Sequence, residues 1–393
     1  MSELHFVGKV CGSKDQLNRA LIVQSFFPHL SIEGDSQCED ILSMKKALKD
    51  FQNGAKEIEC GDSRTILNYL ALRVSRQKGQ YILKASNRLF KLRQNDLLKI
   101  LMQLGCEVEI GESYLKIISY GWKPQGDGLH VNQKQSSEFL SALLLSAWEL
   151  PQPLFIHRHS EALVSQSYLN LTLSFLGALG MTIKHSKDGY FIDKGQSISV
   201  ANFKLEPDMS VCYALACHAL LRGSARIQEF PHHSVQPDFA FVNLLKLMGA
   251  EIYYKENTLV VKKTAPLMPM AIEFNEIPDM FPMTAALFGF FPYESKLYGS
   301  AQLSFKESHC VENCISLLQA VGRNVHPWKD GLLIEKGEPD FNMTPVVYDE
   351  GHDPRMAMAA SLYMAMGYPI TINDPNVVNK TYPEFWSSIG VRP

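Results

Sequence analysis

The sequence predicts a mixed α/β protein of two domains, each holding three copies of one supersecondary unit. Two observations carry this. The chain has 393 residues, 46% apolar and 20% charged, the mix of a globular protein with room for two or three ordinary domains. One phrase then recurs along it: an amphipathic apolar run, a glycine and a β-type pair. The clear copies are LLKILMQLGCEVEI (97–110), LTLSFLGALGMTIKH (171–185), LLKLMGAEIYY (244–254) and CISLLQAVGRNVHP (314–327). Their glycines, Gly105, Gly180, Gly249 and Gly322, are spaced by 75, 69 and 73 residues. MKKALKDFQNGAKEI (44–58) is a weaker copy, and ASLYMAMGYPITI (360–372) is a shortened sixth.

Each part of the phrase has a physical reading. Apolar residues at i, i+3, i+4 and i+7 give a helix one buried face. The glycine supplies the left-handed residue that ends it. The β-branched residues that follow start a strand. A period of about 70 residues is too long for a common solenoid and leaves room for two helices and several strands per unit.

In chain order, ELHFVGKV reads as a short strand that completes a sheet of the second half. GSKDQLNRALIVQSF (12–26) opens a helix after a Gly-Ser turn. FLSALLLSAWELPQPLFI (139–156) reads as a buried helix and then a strand; Glu149, Gln152 and two prolines break it too often for a membrane span. RGSARIQEFPHHSVQPDF (222–239), with prolines and a His pair, marks a crossover near 228–232. The expected domains are 14–228, and 1–13 together with 229–393.

Composition narrows the function classes. With 38 basic and 41 acidic side chains the net charge is −3, which leaves no overall basic field for nucleic acid. MSELHFVGKV lacks the basic and apolar regions of a signal peptide, and a cytoplasmic location is expected. No nucleic-acid or membrane partner is expected, and a monomer is. The eight cysteines, at 11, 38, 60, 106, 212, 217, 310 and 314, form no CxxC pair and read as free thiols. A zinc site from His309, Cys310 and Cys314 is the alternative reading for the last two.

Several polar residues sit at predicted helix starts. Lys14, with Arg19 about one and a half turns on, makes an anion site or a solvated helix start. Ser136, Ser137 and Glu138, and likewise Ser165, Ser167 and Tyr168, either cap their helices or bind phosphate. Asp279 follows Pro278 at the entry to an apolar helix, as a cap or as a base facing a cleft. Lys306 and Glu307 are adjacent, Arg355 opens a helix whose Met stripe reads as core, and Lys380 lies in a Pro-bounded loop.

Taken in order, GSK…NRAL, SSEFLSALLL, SQSYLNLTL, SVQPD (234–238), NEIPD, FKES, RMAMA and NKTYPEFW resemble the enolpyruvyl transferase family over essentially the whole chain. The resemblance is strongest to the branch that moves the enolpyruvyl group of phosphoenolpyruvate onto the 5-hydroxyl of shikimate 3-phosphate and releases phosphate. It implies an α/β (α+β) fold, a two-domain inside-out α/β barrel with three βαβαββ repeats per domain about a pseudo-threefold axis. It implies those two substrates, no cofactor, no metal, and a place in the shikimate pathway to chorismate and the aromatic amino acids. By position, Lys14 resembles the lysine at the phosphoenolpyruvate end, and Arg19 the arginine that grips the shikimate carboxylate. Ser136, Ser137 and Ser165 resemble phosphate-binding hydroxyls, with Tyr168 as a wall beside them. Asp279 resembles the carboxylate that handles the 5-hydroxyl proton, with Lys306 and Glu307 as its partners in proton transfer. Arg355 and Lys380 resemble the cations that hold phosphoenolpyruvate from the far side. Cations from both domains would offset two polyanionic substrates and couple binding to closure.

The chain departs from the family pattern at the same site. Arg64 stands for a glycine, Asn68 for an arginine, Asp15 for a serine and Glu138 for a glutamine. Leu92 and Arg93 align with an Arg-Pro pair, Gln302 with an asparagine, Cys310 with an arginine and Pro354 with a histidine. Arg64 and Arg93 are candidates to compensate for the lost arginines. Three readings stay open: a divergent enzyme of that branch, a transferase of the same fold with another phosphorylated acceptor, or a non-catalytic relative.

Overall fold

The computed structural model describes residues 3–91, 95–124, 126–134, 136–158, 164–264, 267–268, 270–305 and 309–393. β1 (Leu4–Gly8) comes first. It is followed by α1 (Lys14–Gln24), β2 (Ser31–Glu33), α2 (Glu39–Gln52), β3 (Glu57–Glu59), α3 (Arg64–Ser75), β4 (Gly79–Lys84), α4 (Asn87–Lys91) and α5 (Asn95–Gln103). Next come β5 (Glu107–Ile110), β6 (Tyr114–Ser119), β7 (Leu129–Val131), α6 (Glu138–Leu145), β8 (Leu154–Arg158), α7 (Gln166–Ala178), β9 (Ile183–His185), β10 (Gly189–Ile192) and β11 (Asn202–Lys204). The rest is α8 (Met209–Arg222), β12 (Gly223–Gln228), α9 (Phe241–Leu247), β13 (Glu251–Lys255), β14 (Thr258–Lys262), β15 (Ala271–Glu273), α10 (Phe281–Phe288) and β16 (Ser295–Tyr298). It ends with α11 (Cys310–Ala320), β17 (Val325–Trp328), β18 (Gly331–Ile334), β19 (Val346–Tyr348), α12 (Pro354–Ala365), β20 (Ile370–Ile372) and α13 (Phe385–Ile389).

The repeat read from the sequence is the repeat of the fold. In all six copies the helix ends, the marked glycine follows, and a strand begins. Gly54, Gly105, Gly180, Gly249, Gly322 and Gly367 all have φ between 79° and 100°, a region that an L side chain enters only at a steric cost. The sheets repeat as well. Four have four strands in the orders β3-β4-β6-β5, β7-β8-β10-β9, β1-β12-β14-β13 and β15-β16-β18-β17. In each, the first pair is parallel and the other two pairs are antiparallel. Two short parallel pairs, β2-β11 and β19-β20, complete the set.

The chain divides into two units, residues 14–205 and residues 1–13 with 206–393, each around its own apolar core. This differs from the expected crossover near 228–232. α8 and β12 belong with β1, because β12 runs parallel to it with Leu4 opposite Gly223. That pairing spans 219 residues, so no local signal marks it; the prolines and His pair only bound the loop after β12.

Within each unit three helices are almost wholly buried and pack on one another: α1, α3 and α6 in the first, α8, α10 and α12 in the second. Burial on all sides explains their unbroken apolar runs, such as FLSALLL in α6. Lys14, Asp15, Arg64, Glu138 and Arg355, in the first turns of four of these helices, are among the few partly exposed residues they have. Among the described residues no helix is long and apolar enough to cross a membrane.

Candidate active site

In the 14–205 unit the site is built on the starts of α1, α3, α6 and α7. Lys14 is the first residue of α1, and its Nζ donates to Asp40 Oδ2 at 2.9 Å, with both side chains mostly buried. Arg19, one turn deeper, is 4% exposed. Its guanidinium donates to Thr172 Oγ1 at 2.9 Å, to the Asp15 carbonyl at 2.8 Å and to the Tyr168 carbonyl at 3.4 Å. It also lies over the Tyr69 ring. All its hydrogen-bond acceptors are neutral, and among the described residues no carboxylate pairs with it. Burial pushes the Tyr69 hydroxyl well above its ordinary value; Arg19 opposes that rise while Glu138 and Asp15 add to it. The starts of α1 and α6 therefore meet electrostatically around Tyr69.

Ser137 caps α6 and Ser165 caps α7, yet neither hydroxyl makes the usual capping hydrogen bond. Ser165 holds the left-handed conformation at φ 52°. Ser136 Oγ accepts from the Glu138 amide at 3.1 Å. Tyr168 is half-buried in the first turn of α7.

Three of the departures also meet here. Arg64 opens α3, and its Nε stands 4.0 Å from Glu138 Oε2 while its guanidinium covers the Phe139 ring. Glu138 Oε1 is buried with no hydrogen-bond partner among the described residues. Asn68, on the second turn of α3, is fully buried, and neither its amide nitrogen nor its amide oxygen has a partner among them. Arg93 and Leu92 lie outside the described residues. Arg88, which the sequence reading passed over, donates to Asp62 Oδ2 at 2.6 Å, and Ser86 Oγ donates to Asp62 Oδ1 at 2.5 Å.

In the other unit, Asp279 sits in a short 3-10 turn just before α10, and Arg355 is in the first turn of α12. Arg355 donates to Asp279 Oδ2 at 2.5 Å, and the Asp279 side chain is 8% exposed. Asp353 caps α12 by accepting from the Arg355 amide at 2.9 Å, which fixes the helix start that presents the guanidinium. Gln302 is buried and spends its amide nitrogen on the Phe274 and Asn275 carbonyls, in the loop that leads to Asp279. Lys380 ends the 3-10 segment Pro375–Lys380 and is half-buried. Pro354 is the buried first residue of α12. Lys306 and Glu307 lie outside the described residues.

Cys310 is 2% exposed in the apolar core, so this position adds nothing to the cations of its unit. Cys314 Sγ lies 3.6 Å from Met356 Sδ, and burial followed by the neighbouring Cys310 pushes its thiol well up. Among the described residues, His309, Cys310 and Cys314 do not bring their ligand atoms together around a common point.

The sequence reading missed Asp40 and Thr172, which hold Lys14 and Arg19 in place. No local signal marks them, since they lie 26 and 153 positions from their partners.

Comparison with known proteins agrees with this architecture. A 3-phosphoshikimate 1-carboxyvinyltransferase of Vibrio vulnificus is 29% identical over 344 residues, covering 85% of this chain and 78% of that protein. The one of Trichormus variabilis is 24% identical over 411 aligned positions, covering 96% and 94%. The solved EPSP synthase of Acinetobacter baumannii superposes with a TM-score of 0.75 over 99% of this chain and 96% of that one, at 17% identity. The enolpyruvyl transferase NikO of Streptomyces tendae gives 0.72 over 99% and 95%, at 14% identity. A family model described as EPSP synthase (3-phosphoshikimate 1-carboxyvinyltransferase) matches residues 7–389, and with its repeats and site positions falling inside that span the chain belongs to this transferase family.

Proposed function

We propose that this protein transfers the enolpyruvyl group of phosphoenolpyruvate to the 5-hydroxyl of shikimate 3-phosphate with release of phosphate. The observation that carries the reading is Arg19: a buried guanidinium, oriented by three neutral oxygens, with which no described carboxylate forms an ion pair. Such a cation is held ready for a ligand carboxylate. The Ser137 and Ser165 hydroxyls, unspent as caps, suit a phosphate.

Each unit would supply a different part of the chemistry. Arg19, Ser136, Ser137, Ser165 and Tyr168 bind the acceptor, and Lys14 binds the phosphoenolpyruvate end. In the other unit, Arg355 and Lys380 hold phosphoenolpyruvate, and Gln302 positions the loop that carries Asp279. Asp279 takes the proton of the 5-hydroxyl as its oxygen adds to C2 of phosphoenolpyruvate; a proton is delivered to C3, and phosphate then leaves as C3 gives a proton back. Lys306 and Glu307 are the proposed partners in those proton transfers. The location proposed for the protein is the cytoplasm.

The departures favour one adjustment within this reading. Arg64 Nε faces Glu138 Oε2 at 4.0 Å, so part of the role proposed for Arg64 is to offset the Glu138 charge. Isothermal titration with shikimate 3-phosphate, followed by phosphate release on adding phosphoenolpyruvate, tests the proposal. Binding and turnover are expected in the wild type, and loss of turnover in Asp279→Ala. A chain that binds neither compound is not an enzyme of this reaction; binding of another phosphorylated cyclic compound without turnover would assign a different acceptor.

A further inference from the structure

We propose that Glu350, His352 and Asp374 form a binding site for one divalent transition-metal ion. The site follows from the β19-β20 pair. These strands are parallel with Tyr348 opposite Ile372, so the chain segments leaving them run side by side and bring Glu350 next to Asp374. Two backbone contacts hold them there: the Asn373 amide donates to the Tyr348 carbonyl at 2.9 Å, and the Asp374 amide donates to Glu350 Oε2 at 3.2 Å. His352 lies two residues past Glu350. One carboxylate oxygen of Glu350, one ring nitrogen of His352 and one carboxylate oxygen of Asp374 all lie within 4.8 Å of one another. Ligands at about 2.0–2.2 Å around a tetrahedral ion sit roughly 3.5 Å apart, so a small side-chain rotation closes the set.

The observation that calls for a ligand is Glu350 itself. It is 0% exposed, and its Oε1 has no hydrogen-bond partner among the described residues. No described lysine or arginine forms an ion pair with it. A buried carboxylate in that state is strongly unfavourable unless a cation meets it. The surrounding carboxylates are engaged elsewhere: Asp349 accepts from the Gly351 amide, and Asp353 caps α12. Asp374 spends one oxygen on the Asn376 amide, which leaves the other for an ion. His352 is exposed and supplies the way in. Two carboxylates and an imidazole suit zinc, manganese or cobalt; calcium prefers an all-oxygen shell. The two negative charges would balance the ion.

The site has a consequence for its neighbours. The segment that holds His352 runs straight into α12 and Arg355, and Asp374 caps the turn that ends at Lys380. A bound ion would tie these two segments together. The inference does not rest on the reaction proposed above.

The test is zinc binding to the full chain, stripped with chelator, followed by isothermal titration and by metal analysis after desalting. The expected result is one ion per chain, with affinity at least tenfold lower in His352→Ala and in Asp374→Asn. His352 is exposed, so His352→Ala should melt like the wild type without zinc, which separates lost binding from lost folding. Asp127, His130 and His157 form a second, more exposed group of metal-ligating side chains and give the control. Zinc lost in His130→Ala but kept in His352→Ala overturns the proposal, as does the absence of stoichiometric binding in the wild type.

Discussion

Arg64 Nε stands 4.0 Å from Glu138 Oε2, and these are two positions at which the chain departs from the family pattern, a glycine and a glutamine there. The two departures compensate each other. Without Arg64 the mostly buried Glu138 carboxylate would lose the cation that faces it, and without Glu138 the Arg64 guanidinium would lose the carboxylate that faces it. Arg64→Gly removes the cation that faces Glu138, and Glu138→Gln removes the carboxylate that faces Arg64; each single variant should lose stability and turnover. The double variant restores the family pair and should lose less than the two losses added. A coupling of about 0.5–3 kcal/mol in urea unfolding is expected for charges in contact. Strict additivity would mean that the pair is incidental.

The Asp279–Arg355 pair sets a second expectation. The short bond aims the Asp279 carboxylate and holds Arg355 at the start of α12. Asp279→Asn keeps the shape and removes the base, so phosphate release should fall by about 100-fold or more with the fold intact. Arg355→Lys keeps a charge and loses the planar fork; it should raise KM for phosphoenolpyruvate more than it lowers kcat. Equal KM in wild type and Arg355→Lys would separate Arg355 from that substrate.

Much of this was legible in the sequence, and the rest was hidden for a definite reason. The six helix–glycine–strand phrases could be read because each is local: an apolar face, a left-handed glycine and a strand start within about fifteen residues. Lys14, Ser137, Ser165, Asp279 and Arg355 could be picked out as candidates because they stand at or beside helix starts, which the repeat itself locates, and Arg19 because it follows Lys14 about one and a half turns on. What could not be read are the partners. Asp40 reaches Lys14 across 26 residues and Thr172 reaches Arg19 across 153, and such contacts depend on how buried helices pack, which no local pattern encodes. The crossover was misplaced for the same reason, because β12 is claimed by β1 at the other end of the chain. Arg88 was overlooked, although it donates to Asp62.

Thr172 gives a prediction that only the packing suggests. Its Oγ1 accepts from Arg19 Nε and stands 3.0 Å from Ser141 Oγ on α6, so one hydroxyl joins α1, α6 and α7. Thr172→Val preserves volume and removes the acceptor. Arg19 Nε would then lose its hydroxyl acceptor, at a cost of about 1–3 kcal/mol for a buried donor. Affinity for shikimate 3-phosphate should drop about tenfold, with little change in KM for phosphoenolpyruvate. An unchanged affinity in calorimetry would show that Arg19 is oriented by its backbone acceptors alone.

His218 gives a pH dependence remote from the site. It is fully buried on α8, with Nε2 2.9 Å from Ser361 Oγ on α12. Ser361 gives its own proton to the Met358 carbonyl at 2.6 Å, so the imidazole must be the donor, with its proton on Nε2. Nδ1 then has no partner among the described residues, and a second proton would place a charge in the apolar core. Burial, and after it the neighbouring Arg222, push His218 down from 6.5 to about 3. The unfolded chain therefore binds this proton first as pH falls. The stability that neutral His218 contributes is complete above its ordinary value and is lost progressively from there down toward about 3. Between pH 7 and pH 5 the loss should be about 2 kcal/mol in urea unfolding. His218→Gln removes the titrating ring while retaining a donor toward Ser361, and its stability should fall less over the same interval. Parallel curves for the two proteins would show that the acid sensitivity arises from other groups.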